Sequence, residues 1–551
     1  MSAVGQYWRT IRYLTSRQIV YQVRNRLRRR PRLHWQQNPP EVYFLTVSEA
    51  DKPVLWQRGA FTFLNQRVSF PEQINWNYTD NGKLWTYHLT YFDFLNQPNV
   101  SAAEGLKLIR DFVTQTDTLR DGLESYPTSI RLTNWIQFLS RHQIRDYQIN
   151  AHLFAQAHLL SRRLEYHLMG NHLLENGFAL LIAALYFRHE RWLRKGIKLV
   201  QATLNTQILD DGGHNERSPM YHQILLDRLL TVLLALQTDK WHNDDSFLAF
   251  LIQKAVQMLD WLSTITFRNG DLPMVNDATS GMAPTTVQLW QKADRILSTS
   301  YDREATVDVG SERRKSLRNT SGYQMFRQDR YELFVDAGAI GPGNQPGHAH
   351  ADTFSFVLYV DNQPIIVDSG TSTYQTGQRR NWERSTAAHN TVEVSGLNSS
   401  EVWAAFRVGR RASVTVMRNT KTALTARHDG YRPLNIIHQR SWSVEPANLI
   451  IVDRLLTGAN ELSAGETGIA RFHFHPGIDI QIVSSVVMAG PLQLYFDSDT
   501  EFEMHVTKYD MAEEFNTLRS AQCLEITFVN SLKTTLTLRN EHTLPDILFR
   551  T

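Results

Sequence analysis

Apolar positions along this chain change their spacing near residue 320. From about residue 101 to 300 they recur at intervals of three and four. Leu106, Leu108, Ile109 and Phe112 begin the first stripe, and others follow over residues 130–139, 152–168, 173–187, 192–204, 219–236 and 247–262. Such spacing lines one face of a helix. Consecutive amphipathic helices joined by short loops predict helical hairpins wound into a toroid or solenoid. No fixed-length repeat is present, which disfavours the familiar solenoids. After about residue 321 the period becomes two, as in 354–360, 392–394, 413–416, 449–452, 492–496 and 535–538, with turn pairs Asp361-Asn362 and Asp429-Gly430 between runs. Short alternating runs with polar turns predict an antiparallel β-sandwich. The chain divides accordingly: an N-terminal segment 1–100, a helical domain 101–297, a polar linker 298–320 and a β domain 321–551.

The first hundred residues differ from both. Residues 34–100 crowd Trp35, Trp56, Trp76, Tyr78, Trp85, Tyr87, Tyr91, Phe92 and Phe94 among prolines. Most of these rings are expected in a core, and 61–64 with 68–70 read as a short hairpin. Ahead of them Arg9, Arg12, Arg17, Arg24, Arg26, Arg28, Arg29, Arg30 and Arg32 precede the first acid, Glu41. A basic head of this kind suits a membrane, a nucleic acid or an anionic polymer, and has the acid-poor look of a transit peptide. The stripe Tyr13, Ile19, Val20, Val23 and Leu27 favours an amphipathic helix docked on the body through that stripe. No signal-peptide core follows Met1 and no apolar run is long enough to span a membrane. The expectation is a chain without a signal peptide, cytoplasmic by default, with a bacterial periplasm left open.

Composition narrows the picture further. A chain of 551 residues with 42% hydrophobic and 21% charged residues is an ordinary globular protein of two or three domains. The formal charge of +3 is too small to imply nucleic acid, and a single cysteine, Cys523, excludes an internal disulfide and a cysteine-rich metal site.

Candidate chemistry gathers in Gly347-His348-Ala349-His350-Ala351-Asp352, continuing to Asp368-Ser369-Gly370 and Ala388-His389-Asn390-Thr391. In an extended segment His348, His350 and Asp352 share a face. Imidazole and carboxylate together suit a borderline divalent ion such as zinc, against the alternative of satisfied polar residues at a domain seam. Ser218-Pro219 reads as a helix N-cap with proline at the first helical position. Tyr221 then falls in the first turn, where the helix dipole, and Arg217 if close, favour phenolate. The pair His473 and His475 is a weaker metal signal, better read as the polar face of a strand.

The string GHAHADTFSF, then VDSGTSTY and RSTAAHNTV, resembles the signature of the heparinase II/III family of polysaccharide lyases. Gly170-Asn171-His172-Leu173-Leu174-Glu175-Asn176 and the run Asp211 to His222 resemble the same family in the same order, as does Val275-Asn276-Asp277-Ala278. The resemblance implies a multidomain α+β fold, an incomplete (α/α) toroid followed by an antiparallel β-sandwich, with the active site where they meet. It implies β-elimination on a uronic-acid-containing anionic glycan, heparan-sulfate-like or a bacterial exopolysaccharide. Asn171 would donate to the uronate carboxylate, with Tyr221, His348 and Tyr374 catalytic. His172, Glu175, His214, Arg217 and Arg384 would contact the polymer. His350, Asp368 and His389 would hold a divalent ion, zinc first, then calcium or manganese. Asp277 would be structural or part of a subsite. Two alternatives remain: a glycoside hydrolase using carboxylates among Glu175, Glu216 and Asp211, and a non-catalytic glycan-binding protein of polysaccharide assembly.

Overall fold

A computed structural model describes residues 3–34, 39–49, 52–297, 320–457, 461–462 and 466–539. Of the expected linker only Thr320 falls among them. The chain is an incomplete (α/α) toroid followed by an antiparallel β-sandwich.

The helices begin where the sequence places caps. Helix α1 (Ala3–Ile11) and α2 (Ser16–Leu27) come first, α2 opened by a Thr15–Gln18 capping box. The hairpin Ala60–Phe63 with Gln66–Ser69 follows, pairing Thr62 with Arg67. Trp76, Trp85, Phe92 and Phe94 are buried, as a core reading requires. Then come α3 (Lys83–Tyr91), α4 (Ala102–Gln115), α5 (Ser125–Arg141), α6 (Tyr147–Arg162), α7 (Gly170–Phe187), α8 (Glu190–Gln207), α9 (Pro219–Thr238), α10 (Asp245–Ile265) and α11 (Thr286–Leu297). Helix α7 is buried on nearly every side, which is why its sequence reads as an almost unbroken apolar run.

The first sheet of the β domain joins the two domains. It runs in the order Tyr323–Arg327, Tyr331–Asp336, Phe356–Val360, Gln363–Ile366, all antiparallel. Every residue of Tyr331–Asp336 and Phe356–Val360 is buried. Alternation sends Phe334, Val357 and Tyr359 into the helical core, while Leu333, Val335, Phe356 and Leu358 enter the sandwich core. A sheet covered on both faces fixes the domains against each other. Beyond it lie a nine-stranded sheet and a four-stranded sheet, the latter ordered Glu503–Glu514, Thr517–Val529, Thr467–His473, Val392–Val394. Cys523 sits buried in that sheet, its thiol pushed up to about 12 by burial first, an inert group.

Arg217 braces the same junction. Its guanidinium donates to the carbonyls of Ser321 (2.8 Å), Gly341 (2.9 Å) and Thr320 (3.3 Å), and its own carbonyl accepts from Asn276 and Tyr323. This holds the start of α9 against the sandwich and engages three of its five N–H donors, so the side chain braces the junction instead of lining the cleft beside Tyr221. Its φ of 55° is costly for a side chain of this size.

The N-terminal helices correct another expectation. Both dock, but α2 does so through Gln18, Tyr21, Asn25 and Arg28, bonded to or stacked on Gln345, Tyr166, His167 and the Arg162 carbonyl. The apolar stripe Ile19, Val20, Val23 and Leu27 faces solvent.

Arg217→Ala strips three carbonyls of their donor. It should lower stability by about 3 kcal/mol and raise protease sensitivity at the domain junction. Denaturant unfolding measures the first. An unchanged KM for polymer would separate this brace from a substrate contact.

Candidate active site

A cleft of about 550 Å³ opens where the toroid meets the sandwich, and Asn171, His172, Glu216, Tyr221, His348 and Tyr374 line it. Each helical contributor sits at a helix start. Gly170, at φ +53°, opens α7 beside Glu216, whose carboxylate would lie 2.0 Å from a Cβ added there. Only glycine lets Glu216 Oε1 reach the Asn171 backbone N–H, at 3.0 Å. That bond caps α7 and turns the Asn171 side chain into the cleft. Its Nδ2 stands 3.4 Å from His348 Nε2, and its buried Oδ1 has no partner. Ser218 Oγ accepts from the Tyr221 N–H at 3.4 Å, as the N-cap reading predicts.

The histidine loop is not a strand. Residues 347–352 form turns whose N–H groups bond elsewhere: His350 to Asn276 Oδ1 and Ala351 to the Arg384 carbonyl. What brings His348 and His350 together is a shared partner, Asp277. His348 Nδ1 donates to Asp277 Oδ2 and His350 Nε2 to Asp277 Oδ1, each at 2.9 Å. Arg380, on the short helix α12 (Gln378–Glu383), adds a bidentate pair at 2.6 and 2.7 Å. Asp277 and Arg380 are fully buried. Burial alone would raise the Asp277 pKa. Arg380, followed by the hydrogen bonds from both histidines, holds it well below the usual carboxylate range. An ionised Asp277 makes both histidines donors toward it, so His348 presents a lone pair at Nε2 to the cleft.

Tyr221 stacks over His348 with ring centroids 4.0 Å apart, and its hydroxyl lies 3.2 Å from that of Tyr374. Burial first, then the neighbouring phenols Tyr374 and Tyr126, put its pKa well above the ordinary tyrosine value. This reverses the phenolate expectation: a helix start does not outweigh desolvation, and Arg217 is turned away. Tyr374 is shifted in the same direction, by burial first. Phe406 and Phe515 pack edge-on against it.

The other expected contacts divide. His172 lines the cleft, stacked at 4.2 Å on Tyr126 and 3.4 Å from Glu165. Glu175 turns from it toward Arg228, 3.7 Å away. His214 is buried, bonded to Gln207 and 3.9 Å from Glu216, so it positions Glu216. Arg384 is a buried brace, donating to the carbonyls of Ala349 and Ala404. It shapes the histidine loop and offers nothing to a polymer. Asp211 is held by the Ser321 N–H and hydroxyl. Of the three carboxylates the hydrolase reading needs, only Glu216 lines the cleft, while Glu175 faces Arg228 and Asp211 is held at the junction.

Behind His350 lies a buried acidic pocket. His389 Nδ1 bonds Asp368 at 2.8 Å, and the His350 and His389 rings are 5.3 Å apart. His350 Nδ1, His389 Nε2 and Asp352 Oδ2 are buried without partners. The Asp352 carboxyl is pushed up to about 6, by burial first and also by the Asp368 charge, and Asp336 is raised well above the ordinary value by burial and Asp352. Two imidazole lone pairs and crowded carboxylates fit the donor set of a divalent ion. Among the described residues, no three such side chains close into a cage as they stand. His473 is absorbed into the sandwich, against Asn390.

The motif reading missed Arg380, Phe406 and the partner role of Asp277. Arg380 sits four residues before Arg384 with no pattern of its own, although a buried carboxylate between two histidines demands a counter-charge.

The model described as "Heparinase II/III N-terminus" matches residues 126–302, and "Heparinase II/III-like, C-terminal" matches 311–540. A heparin-sulfate lyase of Bacteroides stercoris is 22% identical over 334 residues, 57% of this chain and 47% of the relative. That of Pedobacter heparinus is 24% identical over 341 residues, 58% and 47%. The chain spans about half the length of these curated relatives. Among solved structures, a heparinase III superposes with TM-score 0.63 at 16% identity, covering 86% of this chain and 81% of that one. The heparan sulfate lyase HepC of Pedobacter heparinus gives 0.57 at 16%, covering 96% and 88%. At this identity the likeness is one of fold.

Asp277→Asn removes the charge that Arg380 and both histidines face. It should cost about 3–5 kcal/mol of stability, read by denaturant unfolding, and reduce kcat more than KM. Wild-type stability in this variant would refute the arrangement described.

Proposed function

Since the chain belongs to the heparinase II/III family, we propose that it is a polysaccharide lyase that cleaves a uronate-containing glycan by β-elimination. The observation that carries this reading is the His348 Nε2 lone pair facing Asn171 across the seam, under the Tyr221 ring.

The reaction breaks the C5–H and C4–O4 bonds of a uronate and forms a C4=C5 double bond, consuming no water. The C5 proton is weakly acidic while the adjacent carboxylate keeps its charge. Asn171 Nδ2 donates to that carboxylate, sharing the charge that builds there as C5 loses its proton. His348 Nε2 takes the C5 proton, and Asp277 fixes the tautomer and steadies the imidazolium that results. Tyr221 stays protonated at neutral pH because of its burial, so it is suited to give its proton to the departing O4. Tyr374, within hydrogen-bond distance, is placed to return a proton to it.

The cleft walls favour a polymer of low sulfation. Tyr87, Tyr91, Tyr126 and Phe406 offer aromatic faces for sugar rings. Among the described lining residues the cations are Lys52, Lys83 and Arg228. Lys52 faces Asp227 at 3.6 Å, Lys83 faces Asp121 at 2.9 Å, and Arg228 faces Asp93 at 3.6 Å. Little positive charge remains for sulfates, which supports a carboxylate-bearing exopolysaccharide or a sparsely sulfated glycosaminoglycan. The curated relatives are named heparin-sulfate lyases, which supports a glycosaminoglycan.

His350 and His389, both expected as ligands, would hold a divalent ion together with Asp352; Asp368, the third expected ligand, accepts from His389 Nδ1 and would orient that ring, as Asp277 orients His350. Bound there, the ion would neutralise the crowded carboxylates and pin the histidine loop.

The test is ultraviolet absorbance of the unsaturated uronate during incubation with unsulfated and sulfated uronate glycans. Absorbance should rise first on unsulfated polymers. Tyr221→Phe and His348→Ala should each lower kcat by at least about a hundredfold; full turnover in either variant removes that residue from the mechanism. Reducing ends without absorbance would establish hydrolysis instead. Elemental analysis of the purified protein should find a divalent metal, lost together with thermal stability in His389→Ala.

A further inference from the structure

The first two helices are docked with their polar faces inward. Helix α2 meets the body along Gln18, Tyr21, Asn25 and Arg28, positions that share one helical face. Helix α1 is held by the Arg9–Glu401 pair at 2.6 Å, by Thr10 accepting from Trp403 Nε1, and by Tyr7 against the Trp403 ring. Each helix presents an apolar stripe to solvent at intervals of three and four. On α1 it is Val4, Trp8 and Ile11, and on α2 it is Val20, Val23 and Leu27. Val4 is 79% exposed, Trp8 68% and Leu27 81%. Of the twenty exposed large apolar side chains among the described residues, eight lie between Val4 and Leu27. Exposed apolar side chains are therefore concentrated on these two helices instead of scattered singly over the surface.

Charge identifies what the patch would meet. Nine arginines and no acid precede Glu41. Arg12, Arg17, Arg24, Arg26, Arg29, Arg30 and Arg32 are exposed around the stripes. Apolar side chains including a tryptophan, flanked by arginines, match the boundary between headgroups and acyl chains of an anionic bilayer. A soluble polyanion would engage the arginines but has no use for Val20, Val23 and Leu27. No helix among the described residues is long and apolar enough to cross a membrane, so contact would be made from one side.

We propose that α1 and α2 form a peripheral membrane anchor that lies on an anionic lipid surface. Gln345, which Gln18 grips, also lines the cleft. Bound in this way, the enzyme holds one rim of its cleft beside the bilayer.

The experiment is co-sedimentation of the full chain with vesicles of phosphatidylcholine alone, or of phosphatidylcholine with phosphatidylglycerol, at about 0.1 M salt. Binding is expected to the anionic vesicles only. A double variant, Val20→Glu with Leu27→Glu, changes only solvent-facing positions and should weaken binding at least about tenfold, with the circular dichroism spectrum and melting temperature retained. A second variant, Arg24→Glu with Arg26→Glu, should weaken it comparably. The proposal is overturned by absence of binding to anionic vesicles, or by undiminished binding in the Val20/Leu27 variant. It is also overturned if sedimentation velocity shows a dimer that this variant dissociates, which would assign the face to a second copy. None of these readouts depends on turnover.

Discussion

One carboxylate holds the site together. Asp277 receives four hydrogen bonds, two on each oxygen, from His348, His350 and both terminal nitrogens of Arg380. A buried anion with fewer donors would be neutralised or expelled. With four, it stays ionised and dictates the state of its neighbours. It forces a donor at His348 Nδ1 and so a lone pair at Nε2. It forces a donor at His350 Nε2 and so a free Nδ1 toward the acidic pocket. The tautomer of His348 in the cleft and the unpartnered Nδ1 of His350 behind it follow from one charge.

That charge needs the rest of the architecture. Asp277 belongs to the helical half, and its partners to the β half. The first sheet of the β domain, covered on both faces, supplies the rigidity that keeps four bonds within 2.6–2.9 Å. Arg217 and Arg384 serve the same purpose from either side, each holding backbone carbonyls that would otherwise be stranded in the seam. Arginine suits this task because its planar fork satisfies several acceptors while remaining charged when buried.

Much of this was legible in the residue pattern. The switch of apolar period located the two halves, and the Ser218-Pro219 cap located Tyr221 at a helix start. The motif resemblance led to Asn171, His348 and Tyr374, which the fold gathers in one cleft. Other features were not legible, for physical reasons. Local spacing suggested a strand for residues 347–352, but long-range bonds to Asn276 and Asp277 decide that backbone. The dipole argument for Tyr221 considered one helix and not the phenols and burial that three other segments impose. Arg217 and Arg384 looked like polymer contacts because a charge in a motif reads as functional; only the fold reveals which arginines are turned inward. The α2 stripe was assigned to the body by the rule that apolar faces dock, and here the polar face docks instead.

The division of Asp277 from its histidines bears on how the protein comes into being. A ribosome delivers Asn171, Tyr221 and Asp277 well before His348 and Arg380. Until the β half has folded and closed on the toroid, the chain holds the residues proposed as carboxylate donor and acid but not the oriented histidine proposed as base. On the proposed mechanism, competence is an all-or-none property of the finished molecule, and a prematurely terminated or misassembled copy would leave a uronate polymer intact.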